Sequence, residues 1–282
     1  MTPRVDIKQL SQHNLQTIFA SDHSDTYRSL CHLKSSYGNF SNFAEYNSTV
    51  NLLIASTSET QHRDSYLHKE ILPRLHNHDS MLDIGIGSGD LTMKIAQRFT
   101  NLTIVDIHQS ALDAIPDKHG RWNTSVNKIL QPVETVDLSG QAYDLIVFSH
   151  TIYYVEPAMR ASIINKLYNA LNPMGSLLII YNTGGTRGEM VSFFGGSNFE
   201  FDSIYSSQFQ FDTVLHRRMQ EEIKVNDLCS MLKVCGLCLK DGGVAVQQES
   251  LESYVETNLL LGESIYAMTM VQNILLITHD NL

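Results

Sequence analysis

Met81-Leu82-Asp83-Ile84-Gly85-Ile86-Gly87-Ser88-Gly89-Asp90 is the stretch of this 282-residue chain that decides its fold. Residues 80–84 are a short apolar strand. Leu91, Ile95 and Phe99, at i, i+4 and i+8, are the inward face of a helix that follows. The glycines between them let the backbone turn sharply and come close to a ligand, because no Cβ intervenes. Strand, glycine loop and helix in that order are the setting of a nucleotide-cofactor loop. About 20 residues further on, at the end of a second strand over 102–107, stands Asp106. A carboxylate there can accept hydrogen bonds from both ribose hydroxyls of an adenosine.

Outward from this unit the pattern repeats. Residues 127–130 are a third strand, and 143–149 (YDLIVFS) a fourth. Residues 163–171 read as a helix with Ile163, Ile164, Leu167, Tyr168 and Leu171 inward. Asn172-Pro173-Met174-Gly175 then stops that helix before a strand over 176–181 (SLLIIY). Strands alternating with helices predict βαβ units in a parallel sheet, and strands apolar throughout predict a sheet covered on both faces. Upstream, 64–75 reads as a helix through Tyr66, Leu67, Ile71 and Leu75. Downstream, 225–234 reads as a helix through Leu228, Met231 and Leu232, and 272–278 (QNILLIT) as a last strand. The expectation is an α/β, Rossmann-like fold over 61–282. Residues 1–60, polar and weakly periodic, and the Gly/Phe/Ser-rich stretch within 182–222 are expected to cap its site.

The glycine loop alone fits NAD, FAD or S-adenosylmethionine, or a tight turn without a ligand. Two details separate them. The dinucleotide fingerprint G-x-G-x-x-G needs a third glycine where Asp90 stands. Asp83 would also repel a pyrophosphate, whereas the ammonium of an aminoacyl sulfonium would pair with it. The sign of that charge favours S-adenosylmethionine.

Bulk composition narrows the rest. The formal net charge is -10, with no block of lysines or arginines, which disfavours a nucleic-acid substrate. At 43% hydrophobic and 18% charged residues, the chain can bury a sizeable core without disulfides. No stretch approaches the ~18 apolar residues of a membrane span, and the N-terminus lacks a secretory apolar core, so a cytoplasmic location is expected. Cys31, Cys229, Cys235 and Cys238 are expected as reduced thiols, and no metal is expected.

D-x-G-x-G-x-G, an acid ending strand two, Y-D-L-I-V-F in strand four and N-P-x-G before strand five together resemble the class I S-adenosylmethionine-dependent methyltransferases, over about residues 81–181. The resemblance implies strand order 3-2-1-4-5-7-6, with 272–278 as the antiparallel seventh strand. Asp83, Gly85 and Gly87 would then line the methionyl end, Asp106 hold the ribose, Ile107 pack beside the adenine and Gln131 lie near its edge. Ser149 and His150 would lie beneath the reactive methyl. The sequence Ser149-His150-Thr151-Ile152 lacks the [N/D/S]-P-P-[Y/F] of amide- and base-nitrogen methyltransferases, and no catechol-type metal site can be assembled.

Over nearly the whole chain there is a more distant likeness, carried by Tyr46, by Glu59 in S-T-S-E-T-Q, by Ile152-Tyr153-Tyr154-Val155, by T-G-G-T-R-G-E-M-V-S-F-F and by N-D-L-C-S-M-L-K-V-C-G-L. These resemble the histamine N-methyltransferases. The resemblance implies that Glu59 receives a substrate amine and that Tyr46, Tyr153 and Tyr154 wall the pocket. His150 stands where that family has an amide, and its pocket tryptophans have no counterpart, since the chain's one tryptophan is Trp122. The expected function is N-methylation of a small aromatic or heteroaromatic amine or amino acid, with His150 as proton acceptor. Rival readings are O- or C-methylation of a natural-product scaffold, a non-catalytic cofactor-binding regulator and, more distantly, a dehydrogenase. For single residues, Tyr153 and Tyr154 could equally be core aromatics, Glu59 a solvated helix residue and His150 a passive wall. Phe193 and Phe194 are expected to be packing residues, and His62, His68, His76 and His78 solvated surface.

Overall fold

The computed structural model describes residues 36–37, 40, 43–117, 126–201, 211 and 213–279; Trp122, Cys31 and most of the expected N-terminal cap lie outside the described residues. Seven strands form one sheet: β1 Ser80–Ile84, β2 Asn101–Asp106, β3 Asn127–Leu130, β4 Tyr143–Ser149, β5 Leu171–Thr183, β6 Thr213–Val225 and β7 Tyr266–Thr278. Their order is 3-2-1-4-5-7-6. β1 to β5 run parallel, and β7 inserts antiparallel between β5 and β6. This Rossmann-like order is the one implied by the resemblance to the class I methyltransferases.

The apolar strands are sandwiched, as their composition requires. Leu82, Ile84, Ile146, Phe148, Leu177 and Ile179 enter one core, while Met81, Leu145, Val147, Leu178 and Ile180 enter the other. Alternate side chains of one strand thus serve opposite faces, each fully buried chain contributing about 1.5–3 kcal/mol. α3 Asp90–Ala96, α4 Gln109–Ala114 and α5 Arg160–Tyr168 accompany the parallel strands. α5 begins and ends three residues earlier than the predicted 163–171, and Leu171 opens β5 instead of closing the helix.

The far ends of β6 and β7 overhang the sheet, since β5 pairs with β7 only up to Val271 whereas β6 continues to Tyr266. On this ribbon sits a third core built from α6 Gly185–Phe193, α7 Leu228–Asp241 and α8 Gln248–Asn258. Residues 213–222, placed in the cap by the sequence reading, form most of β6. That strand, TVLHRRMQEEIKV, is charged because it is an edge, with His216, Arg217 and Arg218 exposed. α1 Phe43–Ala55 packs against α7. α2 Glu59–Tyr66 runs on through a π turn, Leu67–Ile71, and a 3-10 turn, Leu72–Arg74, so the helix predicted over 64–75 starts five residues earlier. Among the described residues no helix is long and apolar enough to cross a membrane.

Candidate active site

The glycine loop closes β1 against β2 and β4. Gly85 N donates to Val105 O (2.8 Å), and Gly85 and Gly87 take φ of +70° and +56°. A Cβ on Gly85 would collide with Thr151 Oγ1, which itself donates to Ile84 O and Ser149 O. A Cβ on Gly87 would meet nothing within 4 Å, because that residue borders open space. The space is a cavity of about 690 Å³, a volume suited to a cofactor-sized ligand. Asp83, Gly85, Gly87, Asp106, Ile107, Gln131, Ser149 and His150 line it, together with Tyr46, Glu59, Tyr153 and Tyr154. Every site residue singled out in the sequence therefore borders one cavity.

On the loop side, Asp83 is buried at 1% exposure and accepts a single side-chain hydrogen bond, from Thr92 Oγ1 at 2.7 Å. Burial, with the nearby Asp106 charge adding to it, pushes its carboxyl up to about 7. Asp106, at the end of β2, takes the His108 backbone N–H on Oδ1 at 2.8 Å, and its Oδ2 has no partner among the described residues. Ile107 is a large apolar side chain left 61% exposed, and Gln131 is held beside it through its N–H to Asp106 O. These features fit S-adenosylmethionine: a buried carboxylate in want of a cation, an open carboxylate oxygen for a ribose and an uncovered apolar face for a purine.

The other half of the cavity is aromatic and polar. His150 follows β4 with φ +52° and is held there by its N–H to Ile180 O (2.7 Å). Left-handed backbone in a non-glycine residue is strained, and such strain gathers at functional sites. His150 Nε2 lies 3.4 Å from Glu59 Oε1. Asn182 Nδ2 (3.2 Å) and Gln272 Nε2 donate to the same oxygen. Burial alone would raise the Glu59 carboxyl, but the His150 hydrogen bond and charge, the Arg63 charge and the Asn182 amide outweigh it and hold it below the usual carboxylate range. Glu59 is therefore a buried carboxylate and not a solvated helix residue. The arrangement leaves Asn182 Oδ1 and Gln272 Oε1 buried without a partner, and each such orphan costs about 1–3 kcal/mol. Two amides are thus turned toward Glu59 at the expense of stability.

Tyr153 is fixed by Asn182: its hydroxyl donates to Asn182 O (3.2 Å) and accepts the Asn182 N–H. Tyr154 donates to Asp241 Oδ1 (2.9 Å) and meets the Tyr46 hydroxyl at 3.1 Å. Burial raises all three phenols, Tyr46 to about 12 and the other two well above their ordinary value, so none is a base at neutral pH. Sequence reasoning missed Asp241, Asn182 and Arg63. Asp241 sits below the aromatic wall, 3.5 Å from Arg187, at the end of a helix whose cavity contact has no sequence signature. Phe193 and Phe194 pack on each other and on Tyr254. His62, expected as solvated surface, pairs with the buried Glu221 at 2.9 Å.

The family profile of the methyltransferase domain matches residues 81–175, the segment that contains the loop, Asp106 and His150. Residues 81–175 carry a methyltransferase domain. The cofactor of that domain is S-adenosylmethionine. Among similar proteins is a carboxy-S-adenosyl-L-methionine synthase of Shewanella woodyi, 24% identical over 114 residues, which are 40% of this chain and 46% of that one. Another is a malonyl-[acyl-carrier protein] O-methyltransferase of Ilyobacter polytropus, 29% identical over 110 residues, 38% of this chain and 39% of that one. The chain thus spans less than half the length of these relatives. The solved structure of the YcgJ protein of Bacillus subtilis aligns over 78% of this chain and 100% of its own, at 11% identity and a TM-score of 0.53, a likeness of fold.

The methyltransferase-domain assignment makes Asp106 directly testable. Asp106→Ala should weaken S-adenosylmethionine binding at least tenfold (roughly the worth of a charged hydrogen bond) in a calorimetric titration. Unchanged affinity would remove the ribose assignment.

Proposed function

We propose that this chain methylates the nitrogen of a small aromatic or heteroaromatic amine or amino acid, using S-adenosylmethionine. The observation that carries this reading is the second oxygen of Glu59. Oε1 takes the amides of Asn182 and Gln272 and lies 3.4 Å from His150 Nε2, while no described residue donates to Oε2 and the carboxylate lines the cavity. An ionised carboxylate with one oxygen fixed, lining a cavity with aromatic rings, suits an ammonium group. The distant likeness to the histamine N-methyltransferases gives Glu59 the same task.

Bound S-adenosylmethionine supplies a methyl group on a positively charged sulfur that leaves as a neutral thioether. This chain's residues then have three tasks: hold the amine, remove its proton and exclude water. Glu59 Oε2 holds the ammonium. His150, 3.4 Å from the same carboxylate, takes the proton that an amine must shed to become nucleophilic. Tyr46, Tyr153 and Tyr154 wall the acceptor from solvent, which concentrates alignment into the bound state. Phe40 and the α1 residues Tyr46, Asn47, Val50, Leu53 and Ile54 border the cavity on this side.

Cavity charge favours an amine over an anionic acceptor such as the one named for the Ilyobacter relative. Glu59, Asp83, Asp90, Asp106, Glu134 and Asp241 line it, against Arg63 and Lys240. A calorimetric titration with S-adenosylmethionine, followed by a methyl-transfer screen over amines, amino acids, phenols and carboxylic acids, tests the reading. Turnover of phenols or acids alone would overturn the nitrogen assignment, and binding without any turnover would favour a regulator. Glu59→Gln should raise the KM for the amine at least tenfold (the loss of a charged hydrogen bond) and lower kcat, with cofactor affinity intact. If neither kinetic constant moved, the anchor role would fail.

A further inference from the structure

Glu59 has a companion one helical turn along α2. Arg63 stands at i+4 on the same face, is 8% exposed and lines the same cavity. Its guanidinium is held in one orientation, with Nε and Nη2 both donating to Asp64 Oδ1 at 3.0 and 2.8 Å. The neighbouring carboxylate oxygen, Asp64 Oδ2, takes Lys94 Nζ at 2.7 Å, and Lys94 lies on α3, the helix that leaves the glycine loop. The Arg63 end of α2 is thereby tethered to the loop side of the cavity, as the Glu59 end is tethered to His150.

No described residue accepts from Nη1 of Arg63, and the side chain lines the cavity. A guanidinium carries five N–H donors in a planar fork that matches a carboxylate. Here one edge of that fork is fixed on Asp64, and the residue lines a cavity whose other charged side chains are mostly acidic. Lys240, the other cation of the wall, lies 5.4 and 5.8 Å from the ring centroids of Tyr154 and Phe40, among the aromatics of the acceptor half. The amino-acid end of S-adenosylmethionine is a zwitterion, and Asp83 can answer only its ammonium.

We propose that Arg63 binds the α-carboxylate of the cofactor, so that Asp83 and Arg63 grip the two charges of its amino-acid end from opposite walls. This rests on the S-adenosylmethionine reading and deepens it. One face of α2 then contacts both ligands, with Glu59 on the acceptor amine and Arg63 on the cofactor carboxylate. No sequence motif marks this arginine, because it lies ahead of the loop on a helix outside the sheet.

The test is calorimetric binding of S-adenosylhomocysteine and of 5′-methylthioadenosine, which lacks the amino-acid end, to the wild type, Arg63→Gln and Arg63→Lys. Arg63→Gln should lose about ten- to hundredfold in affinity for S-adenosylhomocysteine, with 5′-methylthioadenosine held within twofold. Arg63→Lys, which keeps the charge and loses the fork, should fall between and guards against a misfolded glutamine variant. Three results would overturn the proposal. S-adenosylhomocysteine affinity could stay within twofold in both variants, including a case where only the acceptor KM rises. Both ligands could weaken equally, as a structural role would give. If the wild type bound neither ligand, the cofactor reading itself would fall and this proposal with it, an outcome distinct from the first two.

Discussion

Replacing His150 by asparagine should lower kcat by about 10²- to 10⁴-fold, the usual worth of a general base, with cofactor affinity within threefold of wild type. That range corresponds to about 2.7–5.4 kcal/mol of barrier. Asparagine suits the test because it tolerates the left-handed backbone that His150 adopts at φ +52°, so the turn after β4 is not refolded by the substitution. It also installs an amide where the histamine N-methyltransferases have one, so a fully active asparagine variant would mean that His150 is only a wall. The alternative bases in the aromatic wall are weak candidates. Burial holds the Tyr46, Tyr153 and Tyr154 phenols protonated, and Glu59 is held ionised by His150 and Arg63 at a basicity too low to keep a proton. A second variant separates chemistry from packing. His150→Gly relaxes the strained backbone and leaves a hole, and added imidazole should restore part of the rate if the missing group is a proton acceptor. A purely structural histidine would give no such rescue.

The placement of the loop-side residues on the cavity was legible in the sequence because they lie on one continuous strand–loop–helix–strand segment. Asp83, Gly85, Gly87 and Asp106 are set by β1, its turn and β2, so their spacing along the chain fixes their placement in space. The acceptor half is assembled differently. Glu59 comes from α2, His150 from the end of β4, Asn182 from β5, Gln272 from β7 and Asp241 from α7. Nothing in the local pattern says that Gln272, 213 residues away on β7, turns its amide to Glu59. α1 was missed for a related reason: FAEYNSTVNLLIA mixes polar residues through its length, and of its apolar side chains Leu52 and Leu53 are only half-buried against the third core while Ile54 stays exposed. β6 was missed because an edge strand is charged where a central strand is apolar. The grip on the cofactor's charges straddles this divide, since Asp83 belongs to the legible segment and Arg63 does not.

Asp83 should make cofactor binding strongly pH-dependent, and Asp83→Asn should abolish that dependence. In the ligand-free protein burial raises this carboxyl from 3.8 to about 7. The folded state therefore holds a proton that the unfolded chain has released between those two values. The sign follows: Asp83 favours the fold below about pH 4, and that contribution declines as pH rises through 7, by on the order of 4 kcal/mol in all. The cofactor's ammonium requires the ionised form. Below pH 7 binding must expel the proton, so affinity should climb with pH, approaching tenfold per unit near pH 5–6, and level off above 7. It should fall again above about pH 8 as the ligand's α-amino group, with a pKa near 7.7–8.0, loses its charge. Calorimetry in buffers of different ionisation enthalpy would count the released proton directly. Asp83→Asn keeps an acceptor for Thr92 Oγ1 while removing the charge. At pH 7.5 it should weaken S-adenosylmethionine binding about ten- to hundredfold, flatten the slope from pH 5.5 to 7 and raise the Tm of the ligand-free protein. A gain in stability with a loss of affinity is the mark of a carboxylate held in an unfavourable place for its ligand. A wild-type affinity that is flat from pH 5.5 to 7.5, or an asparagine variant that binds as well as wild type, would remove the ammonium from Asp83.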